Sequence, residues 1–371
     1  MKKAPALLLL ILCATAVAQI GGKGTYQFLN LPASARVAAM GGKVISLPDR
    51  DLSYAFQNPA LLDDRMHNNM SMNYANYFAD INYGYFAYSY SKPEVGSFAF
   101  GIQYINYGTF IKANELGERT GHFSATEYAF HLMWSRPLNE HFRVGINLKP
   151  IISHLEKYES YGLVADAGIL YSSENRLFNA AFNLRNMGTQ IKGYYPGHYE
   201  SLPFELLLGA SYKLEHAPFR FTMTAQQLQD PDYSYDKPIT TDASSALQSD
   251  EVIFQSKLDN NYTLLGKELV NVMTGMTETY ADPVLRHFIV GADILLTEQL
   301  FFTLAYNYQR RQELKIDTKT STVGLSFGFG LRLYKFNLSY GRGLYHLAGK
   351  TNTFSITTNL SDFYATKNAD K

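Results

Sequence analysis

Residues 78–110 read FADINYGYFAYSYSKPEVGSFAFGIQYINYGTF, and their alternation decides the fold. From Gly96 onward, Phe98, Phe100, Ile102 and Tyr104 fall on one side of an extended chain, and Ser97, Ala99, Gly101 and Gln103 fall on the other. Successive side chains of a strand point to opposite faces, so this spelling is a strand with one large apolar face and one small polar face. Nothing in the stretch reads as an active-site residue.

The same division recurs along the chain. Tyr128, Phe130, Leu132 and Trp134 oppose Glu127, Ala129, His131 and Met133; Val144, Ile146 and Leu148 oppose Arg143, Gly145, Asn147 and Lys149. In TSTVGLSFGFGLRLY, Val323, Leu325, Phe327, Phe329 and Leu331 alternate with Thr322, Gly324, Ser326, Gly328 and Gly330. About fourteen such segments follow one another, near 69–79, 81–92, 94–108, 122–136, 140–154, 159–173, 177–187, 203–215, 217–228, 286–298, 299–312, 319–333, 334–343 and 351–363. The number is even, as single-chain bacterial barrels require.

The connections separate a membrane barrel from a soluble sandwich. KPEV, PLNE, SSENR, EHAP, TEQ and LYK form one set of tight turns. Those between them are mostly longer, at about 109–121, 188–202, 229–285 and 344–350. Short turns at one end and long loops at the other are the outer-membrane pattern, with turns and both termini toward the periplasm. A secreted sandwich would carry lysine, glutamate and threonine on its solvent faces. Here the second face is glycine, alanine, serine and asparagine with scattered charges, which suits a crowded lumen. Tyr74, Tyr77, Tyr83, Tyr85, Tyr104 and Tyr107 are expected in interfacial girdles. The predicted fold is all-β: a transmembrane antiparallel β-barrel of about fourteen strands over residues 67–363, with 229–285 as a long extracellular loop and 364–371 as a periplasmic tail. Lipid offers no hydrogen-bond partners, so such a sheet must close on itself.

Composition agrees. Charged residues make up 18% of the chain, below the roughly 25% of soluble domains. Lysine plus arginine (33) balances aspartate plus glutamate (33), and no basic stripe appears, so nucleic acid is not an expected partner. MKKAPALLLLILCATAVAQ has the charged start, short apolar run and small-residue site of a signal peptide over 1–18. The single cysteine, Cys13, lies within it, preceded by Leu12 where lipidation wants a small residue, and no disulfide framework is expected. No later run of about 20 apolar residues could span as a helix.

Fourteen strands enclose a lumen too wide for wall side chains alone to fill. Residues 19–66, which do not alternate, are the expected hatch. Ser34 to Met40 reads as a short helix stopped by Gly41 and Gly42. Asn58 and Pro59 read as cap and first-turn residue ahead of Ala60 to Asp64. Phe28, Leu31, Val37, Met40, Phe56, Leu61 and Leu62 argue that the segment is buried. Within 229–285, a polar run precedes NYTLLGKELVNVMTGM, whose apolar residues fall on one helical face.

Catalytic chemistry is sparse. Gly324-Leu325-Ser326-Phe327-Gly328 has the nucleophile-elbow spelling but sits in mid-strand rather than at a strand-to-helix turn. The histidines never pair with another ligand at metal spacing, so no metal or cofactor is expected. His131 should face the lumen near Glu127, where a hydrogen bond is the plain reading and an acid–base pair the sharp one. Arg310, Arg311, Glu313 and Lys315, and separately Arg342, Tyr345 and His346, sit near the expected outer rim, where Arg310, Arg311, Lys315 and Arg342 are candidate contacts for a partner or for anionic lipopolysaccharide.

Three blocks, LNLPASARVAAMGG (29–42), LSYAFQNPALL (52–62) and NYANYFADINYGYFAYSY (73–90), resemble the PorQ family of type IX secretion outer-membrane proteins, with the related PorV branch, inside the wider FadL-like barrel superfamily. RHFIVGADILLTEQLFFTLAYNYQRRQELK and GLSFGFGLRLYKFNLSYGR look like the same family. Asn58, Pro59 and Ala60 form the hatch motif that FadL-like barrels share broadly. The resemblance implies a non-enzymatic barrel that anchors a surface component, PorZ in that family, in the complex that attaches cargo to anionic lipopolysaccharide. The alternative it allows is a FadL-type channel for hydrophobic molecules, with a mobile hatch and a lateral opening.

Overall fold

In the computed structural model the described residues are 24–77, 79–230, 282–297, 300–314, 322–346 and 349–365. The expected signal peptide with Cys13, most of the 229–285 connection, Lys315 and residues 366–371 lie outside them. Fourteen strands are present: β1 Asn69–Asn76, β2 Asn82–Lys92, β3 Gly96–Ala113, β4 Arg119–Pro137, β5 Phe142–Leu155, β6 Tyr158–Ser172, β7 Phe178–Lys192, β8 Glu205–Lys213, β9 Phe219–Ala225, β10 Phe288–Leu295, β11 Leu300–Asn307, β12 Leu325–Leu333, β13 Phe336–His346 and β14 Gly349–Asn359. Each pairs antiparallel with its neighbours in sequence, and β1 pairs with β14 from Asn69↔Asn359 to Asn76↔Asn352. The ring is closed, so no strand edge is left to face hydrocarbon. No helix among the described residues is long and apolar enough to cross a membrane.

On most strands the predicted faces are the observed ones. Phe98, Phe100, Leu132, Ile146, Leu148, Phe327 and Phe329 lie exposed on the outside, where lipid would cover them. Ser97, Gln103, His131, Asn147, Lys149 and Ser326 are buried inside. The six tight turns of the sequence lie between β2 and β3, β4 and β5, β6 and β7, β8 and β9, β10 and β11, and β12 and β13. They define a turn end; the other connections define a loop end.

Five expectations need correction. The stretches 109–121 and 344–350 are largely strand, because the β3–β4 and β13–β14 hairpins keep pairing past the point where apolar alternation stops. β11 ends at Asn307, and Tyr308–Glu313 form a helix (α2) capped by the Asn307 side chain, so 299–312 is not one strand. Val323 precedes β12 and is buried rather than lipid-facing, since Gly324 turns the chain at φ 87°. Of the six tyrosines, Tyr74 and Tyr104 face outward, whereas Tyr83 and Tyr85 point inward at 1% and 2% exposure. Tyr107 also turns in, to Glu127, where a bulge near Gly108 resets the face pattern. β14 likewise stops at Asn359, and Ser361–Ala365 form a short helix (α3) where strand was expected to 363.

Residues 24–66 fill the lumen with short helical turns. The helix α1, Ala35–Ala39, begins at Ser34, whose Oγ accepts from the Val37 amide, and it is ended by Gly41 and Gly42, both at positive φ. Phe28, Val37, Met40, Phe56, Leu61 and Leu62 are all at most 3% exposed, and Leu31 is partly buried against them. Two apolar clusters result, one around Phe28, Phe56 and Tyr85 and one around Val37, Ile45 and Tyr54.

Candidate functional site in the plugged lumen

An irregular chain buried inside a barrel has carbonyl groups that no strand can satisfy, and leaving them unpaired is costly. The inner wall supplies the partners. Gln103 Nε2 donates to Phe28 O at 2.6 Å, Arg185 Nη2 to Leu29 O at 3.0 Å, and Tyr85 Oη to Leu31 O at 2.8 Å. Ser211 Oγ donates to Ser46 O at 2.7 Å and Asn183 Nδ2 to Gln57 O at 2.6 Å. The polar inner face is thus the hydrogen-bonding complement of the plug.

Asn58, Pro59 and Ala60 sit at the centre of this contact. Asn58 Oδ1 accepts from the Ala60 amide at 3.0 Å, and its Nδ2 donates to Ile45 O at 3.0 Å, tying two plug segments together. The helical turn that follows is shorter than the spelling suggested: Pro59–Leu61, then a second turn over Asp64–Met66. The motif lies against wall glycines for want of room. A Cβ on Gly168 would stand 2.0 Å from Asn58 Oδ1, and one on Gly145 would stand 2.3 Å from the Pro59 carbonyl carbon.

The firmest lock is ionic. Arg36 of α1 reaches Asp49 at 2.7 Å and Asp293 of β10 at 3.1 Å. Arg220 of β9 holds the other sides, with two hydrogen bonds to Asp49 at 2.7 and 2.9 Å and a further ion pair to Asp293. Asp293 Oδ1 accepts from Thr303 Oγ1 at 2.5 Å, and the Arg36 guanidinium lies 4.0 Å from the Phe301 ring centre. Burial alone would raise the Asp49 carboxyl, yet Arg220 and Arg36 hold it well below the usual carboxylate range. Two plug charges and two wall charges therefore neutralise one another. Sequence reading missed this quartet, whose members are far apart in the chain; only the inward parity of Arg220 and Asp293 hinted at it. Lys43 of the plug pairs with Glu205 of β8 in the same manner.

The other candidates separate. His131 does not meet Glu127: its Nδ1 lies 3.0 Å from Asn147 Nδ2 and its ring packs edge-on to Phe56, while Glu127 accepts from Tyr107 Oη at 2.5 Å. Residues four apart on a strand are about 13 Å apart, so no acid–base pair forms. Ser326 is buried in β12 with no hydrogen-bond partner for its Oγ. Arg310 is drawn inward: its Nη2 donates to Gly41 O at 3.0 Å, so it braces the plug instead of projecting from the rim. Arg311 is half-buried on α2, and Arg342 faces outward near the loop end of β13. Among the described residues no group of three histidine, cysteine, aspartate or glutamate side chains is placed to hold a metal.

Two cavities lie at the turn end. The larger, about 940 Å³, sits beneath the plug; charged side chains, including Arg50, Asp51, Arg143, Arg176, Lys213 and Arg332, share its lining with apolar ones such as Phe142 and Leu338. The smaller, about 610 Å³, lies beside Asp64, His67, Lys92, Glu94 and Arg136.

A closed fourteen-strand barrel sealed by an amino-terminal plug is the architecture of FadL-type outer-membrane proteins, and this chain has that fold. The toluene transporter TbuX of Ralstonia pickettii superposes with a TM-score of 0.51 at 11% identity, covering 89% of this chain and 99% of that one. The toluene transporter TodX of P. putida gives 0.50 at 12% identity, over 90% and 99%. A Pseudomonas aeruginosa FadL homologue gives 0.46 at 11% identity, over 88% and 98%. No protein-family model matches the sequence, and no curated protein does. The likeness is one of fold; the first two neighbours are described as toluene transporters.

Proposed function

We propose that the chain is a gated outer-membrane passage for small hydrophobic molecules, held here in its closed state. The observation that carries this reading is the likeness in fold, over nearly their whole length, to two barrels described as toluene transporters. The way the plug is held supports it. One isolated bridge, Gly24 to Ser201, joins the described plug to the wall as sheet. The remaining wall contacts are apolar packing, side-chain hydrogen bonds and ion pairs, so the plug can shift without tearing the barrel. Beside it the β6–β7 ladder breaks at Arg185–Asn186, where Asn186 has φ 57° and its amide donates to Asp166 Oδ1 at 2.8 Å. A bulge of this kind interrupts the strand ladder, with a side chain in place of a strand partner for the Asn186 amide, and suits a lateral exit. The test is uptake of radiolabelled toluene and of a long-chain fatty acid by cells lacking their own such channel. Uptake above that of empty cells is expected. An Ala35→Cys, Ser355→Cys pair, tethering plug to β14, should block it until reductant is added. Uptake no faster than in empty cells sinks the proposal.

A second reading, a surface-anchoring scaffold of type IX secretion with a PorZ-like partner and anionic lipopolysaccharide nearby, draws on a different observation. The plug fills the lumen with buried apolar and polar side chains, and the two cavities at the turn end mix charged with apolar lining, so neither is a dry apolar pocket for a hydrophobic ligand. Arg311, Lys315 and Arg342 are its proposed contacts. Co-isolation of a surface protein from detergent-solubilised outer membrane, lost when residues 236–275 are deleted, supports this reading; recovery of the barrel alone removes it.

A further inference from the structure

We infer that the turn-end vestibule is a receptor for an acidic peptide segment. Its volume, about 940 Å³, lies at the upper end of ordinary ligand pockets. Its wall is cationic by construction. The inward-facing residues at the strand ends are Arg143 of β5, Lys213 of β8 and Arg332 of β12, joined by Arg176 in the β6–β7 turn and by Arg50 of the plug. Among the described residues none of these five has a carboxylate within ion-pairing distance; Arg143 only approaches the Leu62 carbonyl, at 3.4 Å.

The vestibule's carboxylates are mostly committed elsewhere. Asp49 belongs to the ionic quartet that roofs the cavity, Asp63 is held by Arg65, and Asp51 Oδ1 accepts from the Ser53 amide at 2.9 Å. Glu140 and Asp362 stand at the rim, the latter on the short helix after β14. Of the five, Arg143 is partly buried and the others are solvent-exposed within the cavity; a concave surface lined by one sign of charge focuses field and raises the local concentration of anions. The five cations are spread around the circumference rather than aimed at one point, so they match several spaced carboxylates better than a single compact anion. Because every strand is paired, no edge is available for strand addition, and recognition must run through side chains.

The test uses the full chain in detergent micelles and fluorescein-labelled decaglutamate, with decaglutamine as the uncharged control. Decaglutamate is expected to bind saturably, weakening with salt, and decaglutamine not to bind. Arg176→Glu with Lys213→Glu and Arg332→Glu should weaken binding by about tenfold or more, and the glutamine triple variant should weaken it less. Lys157→Glu with Lys192→Glu, at the loop end, should leave it unchanged. Folding of each variant is checked by its heat-dependent gel migration. Three results would each overturn the proposal: no saturable binding, equal loss in the loop-end variant, or displacement by inorganic phosphate at equal charge, which would reassign the bowl to compact anions.

Discussion

At Gly168 the plug and the wall are too close for any side chain but hydrogen. Gly168→Ala is therefore expected to displace Asn58 and to cost about 1–3 kcal/mol, seen as a lower melting temperature and faster protease cleavage within residues 24–66. Asn58→Ala should act from the other side, losing a helix cap worth about 1 kcal/mol and orphaning the Ile45 carbonyl that Nδ2 now serves. The pH response follows from Asp49. A carboxyl whose folded pKa is depressed adds stability that is present above the unfolded value near 4 and is lost as pH falls through the folded value. As far as this group is concerned, plug docking should hold from pH 7 to 5 and loosen only below about pH 4. Pepsin cleavage of the plug between pH 5 and 2 would show it, and loosening already at pH 6 would contradict it. The Asn58-Pro59 cap was legible in the sequence because capping is local chemistry between residues two apart. Arg310 was not, since a cation next to a strand end looks solvated until the plug carbonyl it reaches is placed beside it.

Among elements, the alternating strands were readable because lipid and plug impose opposite demands on the two faces of every strand. The hairpin extensions of β3–β4 and β13–β14 escaped because backbone pairing continues where the side-chain pattern lapses. The ionic quartet escaped for a different reason: it joins α1, the Asp49 segment, β9 and β10, and nothing local requires those charges to meet. It yields the sharpest prediction at this scale. Asp293→Ala would leave Arg36 and Arg220 buried and facing one remaining carboxylate. Removing one partner of a buried ionic group costs about 3–5 kcal/mol. The barrel ring does not depend on that carboxylate, so the loss should fall on plug docking. In planar bilayers the variant should show frequent ion-conducting openings where the parent chain is silent, and Asp293→Asn, which keeps one hydrogen bond to Thr303, should open less often. Equal silence in all three would mean that apolar packing alone retains the plug.

For the whole molecule, wall height and lumen filling are separate problems. β3 and β4 have 18 and 19 residues, whereas β9 and β11 have 7 and 8. A tilted strand needs about 9–11 residues to cross the bilayer. The β3–β4 side therefore stands well clear of the membrane, while the β9–β11 side barely crosses it. Closure, by contrast, is complete on both sides, since every strand pairs with two neighbours. A ring of this size is too wide to be filled by its own side chains, and its inner face is polar enough to hold water once the plug is gone. Deleting residues 24–66 should therefore leave a folded, heat-modifiable barrel that conducts ions as a steady open pore. If the shortened chain instead fails to fold, the plug is the barrel's core rather than its gate, because the inner glycines that make room for it would leave the wall without packing partners.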